Sequence, residues 1–327
     1  MTVVELAECF GPVEAELTAL EAALGKELRS NSPALQNLVQ HISAYAGKRL
    51  RPALVFLSAR VVGRAPTAEH MKLAAIVELI HTATLVHDDI LDDASVRRRV
   101  KTVNAMYGNQ VPVLLGDFIY AHAFAMSVEL PTPEASRVLA RVTKICCRGE
   151  IEQIFERFDF SMGEDAYLRV IEAKTAELYS ASAELGAIYS DATPEQVAAL
   201  SRFGRSIGIA FQVIDDCLDL IGDEAVVGKS LGTDLEGGKL TLPLIRLSQL
   251  LDEKERGELE KLVTEDGVED RRTKLSERFD LGSALDYSFG RADDFIREAT
   301  TELDVFEPSP AREALKSVAE FVLIRKR

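Results

Sequence analysis

Tryptophan is absent from this chain of 327 residues, and aromatic residues of all kinds make up only 6% of it. No run alternates apolar and polar positions at period two. Sheet proteins draw on aromatic and β-branched residues in that alternation, so the composition disfavours a sheet fold and leaves helices. Cysteine is scarce as well. Cys9, Cys146, Cys147 and Cys217 are too few and too irregularly placed for a disulfide framework in a chain this long, which predicts a reduced, intracellular thiol set. His/Cys spacing for zinc is missing. Positive charge is in deficit: 38 Lys plus Arg stand against 53 Asp plus Glu, a net charge of −15, which argues against a nucleic-acid partner. Nowhere do about eighteen apolar residues run together, and the greasiest stretch, around 73–86, is broken by Glu78 and His81. The start carries Glu5, Glu8, Glu14 and Glu16 where a secretory signal needs a basic beginning and an unbroken apolar centre. No export signal and a cytoplasmic location are therefore expected.

What is present points to helices. Hydrophobic residues make up 47% of the chain, enough for a sizeable core. Leu73, Ile76, Val77 and Ile80 recur at spacings of three and four, and so do Phe203, Ile207, Ala210 and Ile214. Proline and glycine punctuate the chain at Ser32-Pro33, Gly63 to Pro66, Gly108 to Pro112, Pro131 to Pro133, Thr193-Pro194 and 222–238, leaving pieces of helix length between them. No composition shift marks a linker and no period repeats, so one all-α domain over residues 1–327 is expected. The charged stretch 251–280 reads as a solvated helical face and connection.

Each apolar stripe runs into an acidic cluster. The first holds Asp88, Asp89, Asp92 and Asp93, followed by Arg97, Arg98 and Arg99. Asp88 and Asp92, at i and i+4, share one helix face about one turn apart, close enough to bind the same hard cations. Like charges at that spacing repel, so a purely structural helix end gains little from them. The second cluster, Asp215, Asp216 and Asp219, repeats the Asp-Asp-x-x-Asp pattern on another apolar helix. A single such motif in an acidic chain is as easily a solvated face, but two, each at the end of an apolar stripe, favour opposed carboxylate sets with Mg²⁺ between them. Lys48, Arg49 and Arg51, the arginine run 97–99, Lys174 beside Thr175, and Lys229 and Lys239 supply the cationic half of a phosphate site. Taken singly, any of these could be a surface ion pair of little energetic consequence. The segment 222–230 imitates a phosphate-binding P-loop but puts five residues between Gly222 and Gly228 where four are needed, and it follows an acidic helix where a strand belongs.

These motifs resemble the trans-isoprenyl diphosphate synthases, or polyprenyl synthetases. The matching segments are GKRLRP at 47–52, 78–99, 108–124, 172–186, FQVIDDCLDLIGD at 211–223 and 228–245, in the family order and over nearly the whole chain. The resemblance implies an all-α, isoprenoid-synthase-type helical bundle around a central elongation cavity, usually a homodimer, that joins isopentenyl diphosphate head-to-tail to an allylic diphosphate. It implies Mg²⁺ on Asp88, Asp92 and Asp215, with Asp89, Asp216 and Asp219 supporting them directly or through water. Arg97, Lys174, Thr175, Gln212, Lys229 and Lys239 would contact the allylic diphosphate. Gly47, Lys48, Arg51, His81 and Arg98 would hold isopentenyl diphosphate. His81 by itself reads more readily as a core histidine; its place in Glu-x-x-His ahead of the first cluster reverses that. Where many members have Arg-Arg-Gly-x-Pro-Thr, this chain reads Arg97-Arg98-Arg99-Val100-Lys101-Thr102, without the glycine and proline. The position five residues before Asp88 acts in the family as a floor to the product tail. Here it is Ala83, with Thr84 beside it and Ile80 and Val77 further down, which predicts an open floor, a product longer than fifteen carbons, and at most peripheral membrane contact for its release. A short-chain synthase, a terpene cyclase and a non-catalytic partner subunit are the competing readings; the second aspartate cluster and GKRLRP weigh against the cyclase, and the complete aspartate set against the inactive subunit.

Overall fold

The computed structural model describes residues 9–45, 47–222, 231–265, 267–268 and 270–324. The helices are α1 (Glu14–Glu27), α2 (Pro33–Ser43), α3 (Leu50–Val61), α4 (Ala68–Leu91), α5 (Val103–Tyr107), α6 (Gln110–Val128), α7 (Glu134–Phe155), α8 (Glu164–Ile171), α9 (Glu177–Ile188) and α10 (Pro194–Ile221). They continue with α11 (Thr233–Glu236), α12 (Leu242–Leu250), α13 (Glu253–Thr264), α14 (Arg271–Arg278), α15 (Gly282–Glu302) and α16 (Pro310–Ile324).

Local chemistry sets the two helices that carry the aspartates. Thr193 caps α10 with its hydroxyl accepting from the Gln196 amide at 3.3 Å, while the Gln196 side chain accepts from the Thr193 amide at 3.0 Å and Pro194 takes the first turn, where no amide is missed. At the start of α4 the Thr67 amide donates to Nδ1 of buried His70 at 3.1 Å, and Nε2 of that ring lies 2.9 Å from the Ser190 hydroxyl, tying α4 to the end of α9. Both apolar stripes expected from the spacing are fully or almost fully buried, Leu73, Ile76, Val77 and Ile80 on α4 and Phe203, Ile207, Ala210 and Ile214 on α10. Each large side chain so buried stabilises the fold by roughly 1.5–3 kcal/mol.

Helix α10 lies between α9 and α15, α9 packs on α3, and α4 packs along α6. The approach of α10 is close enough to need glycine: a Cβ on Gly208 would sit 2.5 Å from Cα of Ala176. The contiguous core extends from Cys9 to Val322. The charged stretch 251–280 forms α13 and α14, whose Leu259, Leu262, Val263 and Leu275 are buried; most charges face out, but Arg271 is buried, donating to Glu236 and to the Leu262 and Glu265 carbonyls.

Three features differ from the sequence reading. After α4 the chain forms a miniature hairpin, Val96–Arg97 with Val100–Lys101, in register Val96↔Lys101. Arg98 and Arg99 make its two-residue turn with φ of 50° and 66°, the left-handed values that such a turn demands and that asparagine or glycine normally supply. The missing family glycine therefore leaves Arg99 in a strained conformation. Second, a single π-helical turn, Glu172–Ala176, separates α8 from α9. Third, α6 and α10 are long and apolar enough to cross a membrane by length and composition, with 39% and 56% of their most apolar windows buried. Helix α10 is the centre of the bundle, whereas α6 exposes Val113, Leu114, Phe118 and Val128.

Candidate active site

Asp88 occupies the last turn of α4 and Asp92 caps it, with the Asp92 amide donating to the Asp88 carbonyl at 2.9 Å. The helix stops because Asp93 adopts φ of 47°, a conformation that aspartate tolerates better than most residues. Burial pushes the Asp88 carboxyl above its ordinary range; Lys174 opposes that, and Glu150 and Asp92 add to it. Burial acts the same way on Asp92, but the ammonium groups of Lys239 and Lys174 outweigh it and bring its pKa below the usual value.

Asp89 points elsewhere. It is almost wholly buried and accepts from Nε of Arg97 at 2.5 Å. That holds the arginine at the root of the hairpin. Asp216 and Asp219 also have protein partners. Asp216 accepts from the Tyr167 hydroxyl at 2.6 Å and from Nε2 of Gln212 at 2.7 Å, while Oε1 of Gln212 accepts from the Thr175 hydroxyl at 2.8 Å. This chain of hydrogen bonds fixes Thr175 and Gln212 relative to α8 and α10. Asp219 is fully buried and accepts from the Asp234 amide at 3.2 Å, anchoring the loop that returns from the second cluster. Asp215, which precedes both, is half-buried on the same end of α10.

Lys239 ties the first cluster to the segment that Asp219 anchors. Lys239 lies 2.9 Å from Asp92 and 3.0 Å from Asp234, so the loop after α11 reaches back to the end of α4. Burial alone would lower its pKa, but Asp234 and Asp92 outweigh burial and raise it, so the lysine is cationic. Lys174, presented by the π-turn, is ion-paired with Glu150 and donates to Gln153 at 3.1 Å; Asp88 and Glu150 raise its pKa against the effect of burial. Lys174, Lys239, Gln212 and Tyr167 line one pocket, closed on its apolar side by Val170 and Leu240. Lys229 lies outside the described residues.

A second cationic zone surrounds His81. Burial depresses the imidazole pKa well below its ordinary value, and Arg51, Arg98, Arg97 and Arg49 depress it further, so the ring is neutral. The Arg98 guanidinium lies over Gly47, where a Cβ would collide with it, and donates to the Tyr45 carbonyl. Arg51 stacks 4.2 Å from the Tyr179 ring centroid, and its Nε is buried without a protein partner. Lys48 lies 4.7 Å over the Phe321 ring. Arg49 belongs to the scaffold: it pairs with Glu78 and, at 2.5 Å, with Glu21.

The residues expected at the tunnel floor are closed in. Ala83 and Ile80 are buried at 0% and 2% exposure, and Thr84 is half-buried with its hydroxyl donated to the His81 carbonyl at 2.7 Å. Tyr167, Glu150 and Gln153 went unassigned from sequence. Nothing in a single chain signals that Tyr167 would meet an aspartate 49 residues away.

Among the described residues no three His, Cys, Asp or Glu side chains gather closely enough to hold an ion by themselves. The donor set nevertheless fits a hard divalent cation. Asp88, Asp92 and Glu150 repel one another beside Lys174, and oxygen ligands with surplus negative charge are what such an ion requires.

The polyprenyl synthetase family model matches residues 32–277. The chain belongs to the polyprenyl synthetase family. The synthetase is 35% identical over 312 residues to the octaprenyl diphosphate synthase of Escherichia coli (strain K12), covering 95% of this chain and 96% of that one. It is 37% identical over 295 residues to a short chain isoprenyl diphosphate synthase of Methanothermobacter thermautotrophicus, covering 88% and 89%. Its fold superposes with a TM-score of 0.94 at 32% identity on a polyprenyl synthase from Caulobacter crescentus complexed with calcium and isoprenyl diphosphate, covering 100% of this chain and 99% of that one. The synthetase is thus an all-α trans-prenyltransferase, and its family uses isopentenyl and allylic diphosphates.

Proposed function

We propose that the synthetase condenses isopentenyl diphosphate head-to-tail with an allylic diphosphate in a Mg²⁺-dependent reaction, giving an all-trans polyprenyl diphosphate of more than fifteen carbons. The observation that carries the reading is that Lys239 pairs at once with Asp92 of the first cluster and with Asp234, whose amide donates to Asp219 of the second, which sets two cations, Lys174 and Lys239, in one pocket with Asp216. Asp88, Asp92 and Asp215 would hold the metal, which when bound supplies positive charge to the departing diphosphate. Lys174, Lys239 and Arg97 neutralise the same diphosphate, and Thr175 and Gln212 orient it. As the allylic C–O bond breaks, its electron pair leaves on the diphosphate oxygen. The isopentenyl double bond, held by Arg51, Arg98, Lys48 and neutral His81 against the Gly47 backbone, attacks the allylic carbon. The new cation then loses a proton to the released diphosphate, so no dedicated base is needed. The pocket walls exclude water, without which the allylic cation would be hydrolysed.

Relatives carry both long- and short-chain names, so product length rests on the small side chain at Ala83. A second copy of the chain is the proposed occupant of the α6 face, where Leu114 is 68% exposed, continued on α7 by Ile151 and by Phe155 at 84%. Leu114→Asp should convert a dimer to a monomer in sedimentation. Release of so apolar a product calls for at most peripheral membrane contact, from a cytoplasmic location that cell fractionation would check. The deciding assay offers purified protein isopentenyl diphosphate and several allylic primers, with Mg²⁺ or with EDTA. Consumption of both substrates and a ladder beyond fifteen carbons, abolished by EDTA, is expected. An allylic diphosphate consumed alone to a cyclic hydrocarbon would overturn the reading.

A further inference from the structure

The turn that follows α7 carries no motif and no assigned role, yet it touches both halves of the site. Arg157 directs one guanidinium nitrogen at the end of α4, 3.5 Å from the Leu91 carbonyl and 3.8 Å from Asp92. Its neighbour Phe158 reaches the opposite wall: the Phe158 amide donates to the Gly238 carbonyl at 2.8 Å, and its ring lies against Gly238 so closely that a Cβ there would overlap it. Gly238 immediately precedes Lys239, whose ammonium lies on the same Asp92 oxygen that Arg157 faces. Asp92, Lys239, Gly238, Phe158 and Arg157 therefore form a closed circuit.

Two features set this turn apart from ordinary loop packing. Phe158 has φ of 64°, a left-handed conformation that is costly for a bulky side chain, and it remains 43% exposed, so burial gives little in return. Gly238, with φ of 69°, is likewise left-handed, and its partner ring leaves room for no other residue. A strained Phe158, set against a position whose left-handed backbone and close ring contact only glycine fits, is what a part held for position looks like.

We propose that Arg157 and Phe158 are positioning residues of the synthetase, a clamp that sets Lys239 at a fixed distance from the end of α4 and so shapes the subsite for the allylic diphosphate. The proposal rests on the function assigned above and names a determinant outside every family motif. Phe158 grips the backbone beside Lys239, and Arg157 holds the wall that Lys239 faces. Neither side chain needs to touch the reacting carbon.

The test pairs turnover with binding of inorganic diphosphate in the presence of Mg²⁺, followed by calorimetry. Phe158→Ala should weaken inorganic diphosphate and raise KM for the allylic substrate about tenfold, with KM for isopentenyl diphosphate and the melting temperature little changed. Phe158→Tyr, which keeps the ring, should restore both. Gly238→Ala should be severe in the wild-type background and much milder beside Phe158→Ala, because the ring it strikes is gone. Arg157→Lys should retain more diphosphate affinity than Arg157→Gln. Equal loss for both substrates, unchanged diphosphate binding in Phe158→Ala, or Gly238→Ala equally damaging in both backgrounds would overturn the clamp. A wild-type protein that turns over neither substrate would refute the functional reading, while diphosphate binding and the double substitution would still decide the clamp.

Discussion

Replacing Tyr167 with phenylalanine removes a single oxygen from the site, and its consequence can be worked out from geometry. The Tyr167 hydroxyl donates to Asp216 at 2.6 Å, and Asp216 is only 4% exposed, so no solvent stands ready to replace the bond. Burial and the nearby Asp234 push the Asp216 carboxyl up to about 8, so the charged-bond range does not apply, and a buried acceptor stripped of its donor incurs roughly 1–3 kcal/mol. Unfolding entropy of about 2.1 cal/mol/K per residue gives this chain of 327 residues about 0.7 kcal/mol/K, so the melting temperature should fall by about 1–4 °C. Asp216 also holds Gln212, and Gln212 holds Thr175, so the allylic diphosphate should lose affinity while isopentenyl diphosphate, bound around His81, keeps its own. Calorimetric melting and separate KM values for the two substrates make the assay. Combining Tyr167→Phe with Asp216→Asn should show a coupling of similar size. A melting temperature unchanged within a degree, or additive effects in the double substitution, would refute the assignment of Asp216 as the holder of this network.

Arg99→Gly relieves about 1–2 kcal/mol of left-handed strain and gives back about 0.5–1 through a freer unfolded chain, so melting should rise by about 1 °C; a fall would show that the Arg99 side chain earns its conformation. Burial holds the His70 pKa below its ordinary value, against a smaller opposing effect of the Gly186 carbonyl. The unfolded chain therefore takes up that proton first, and stability present above about pH 6.5 is lost as the pH falls below it. Asp88, pushed up to about 6, and Asp216, pushed up to about 8, act the other way in the same range, so the reading is a difference: His70→Gln should gain urea midpoint relative to wild type as the pH goes from about 7.5 to 5.5, and an unchanged difference would refute the burial of a neutral His70. Ala83→Phe should shorten the products, at about 1–3 kcal/mol of overpacking since Ala83 has no exposed surface; an unchanged product ladder would sink the floor assignment.

The apolar stripes and the two aspartate clusters were legible because both depend on helical period alone: Leu73 to Ile80 and Phe203 to Ile214 are buried as their spacing requires. The cationic residues were legible as a set, and the chain brings Lys174, Lys239 and Gln212 to one pocket. Which aspartate does what was not legible. Within Asp-Asp-x-x-Asp adjacent residues are about 100° apart around the helix, so Asp89 and Asp216 turn to protein partners set by tertiary packing, while Asp219, on the face of Asp215, meets the Asp234 amide brought in by the fold. Tyr167, Arg157 and Phe158 escaped for the same reason, since each acts on a residue distant in sequence. The hairpin at 96–101 escaped because its turn breaks the usual chemistry, with arginines where glycine or asparagine would announce it.

The π-turn at Glu172–Ala176 has a consequence for how this protein can tolerate change. A π-turn is an α-helix carrying one surplus residue, and that surplus rotates everything before it by about 100° relative to everything after it. Tyr167, Val170 and Ile171 thereby face the pocket while α9, on the far side of the turn, presents its own face to α3 and α10. The segment behaves as a phase shifter between two helices that read as one. A substitution at Glu172, which keeps the count, should be absorbed, whereas removal of any one residue would bring α8 and α9 into step and swing Tyr167 away from Asp216. The residue count here sets the direction in which Lys174 leaves the helix.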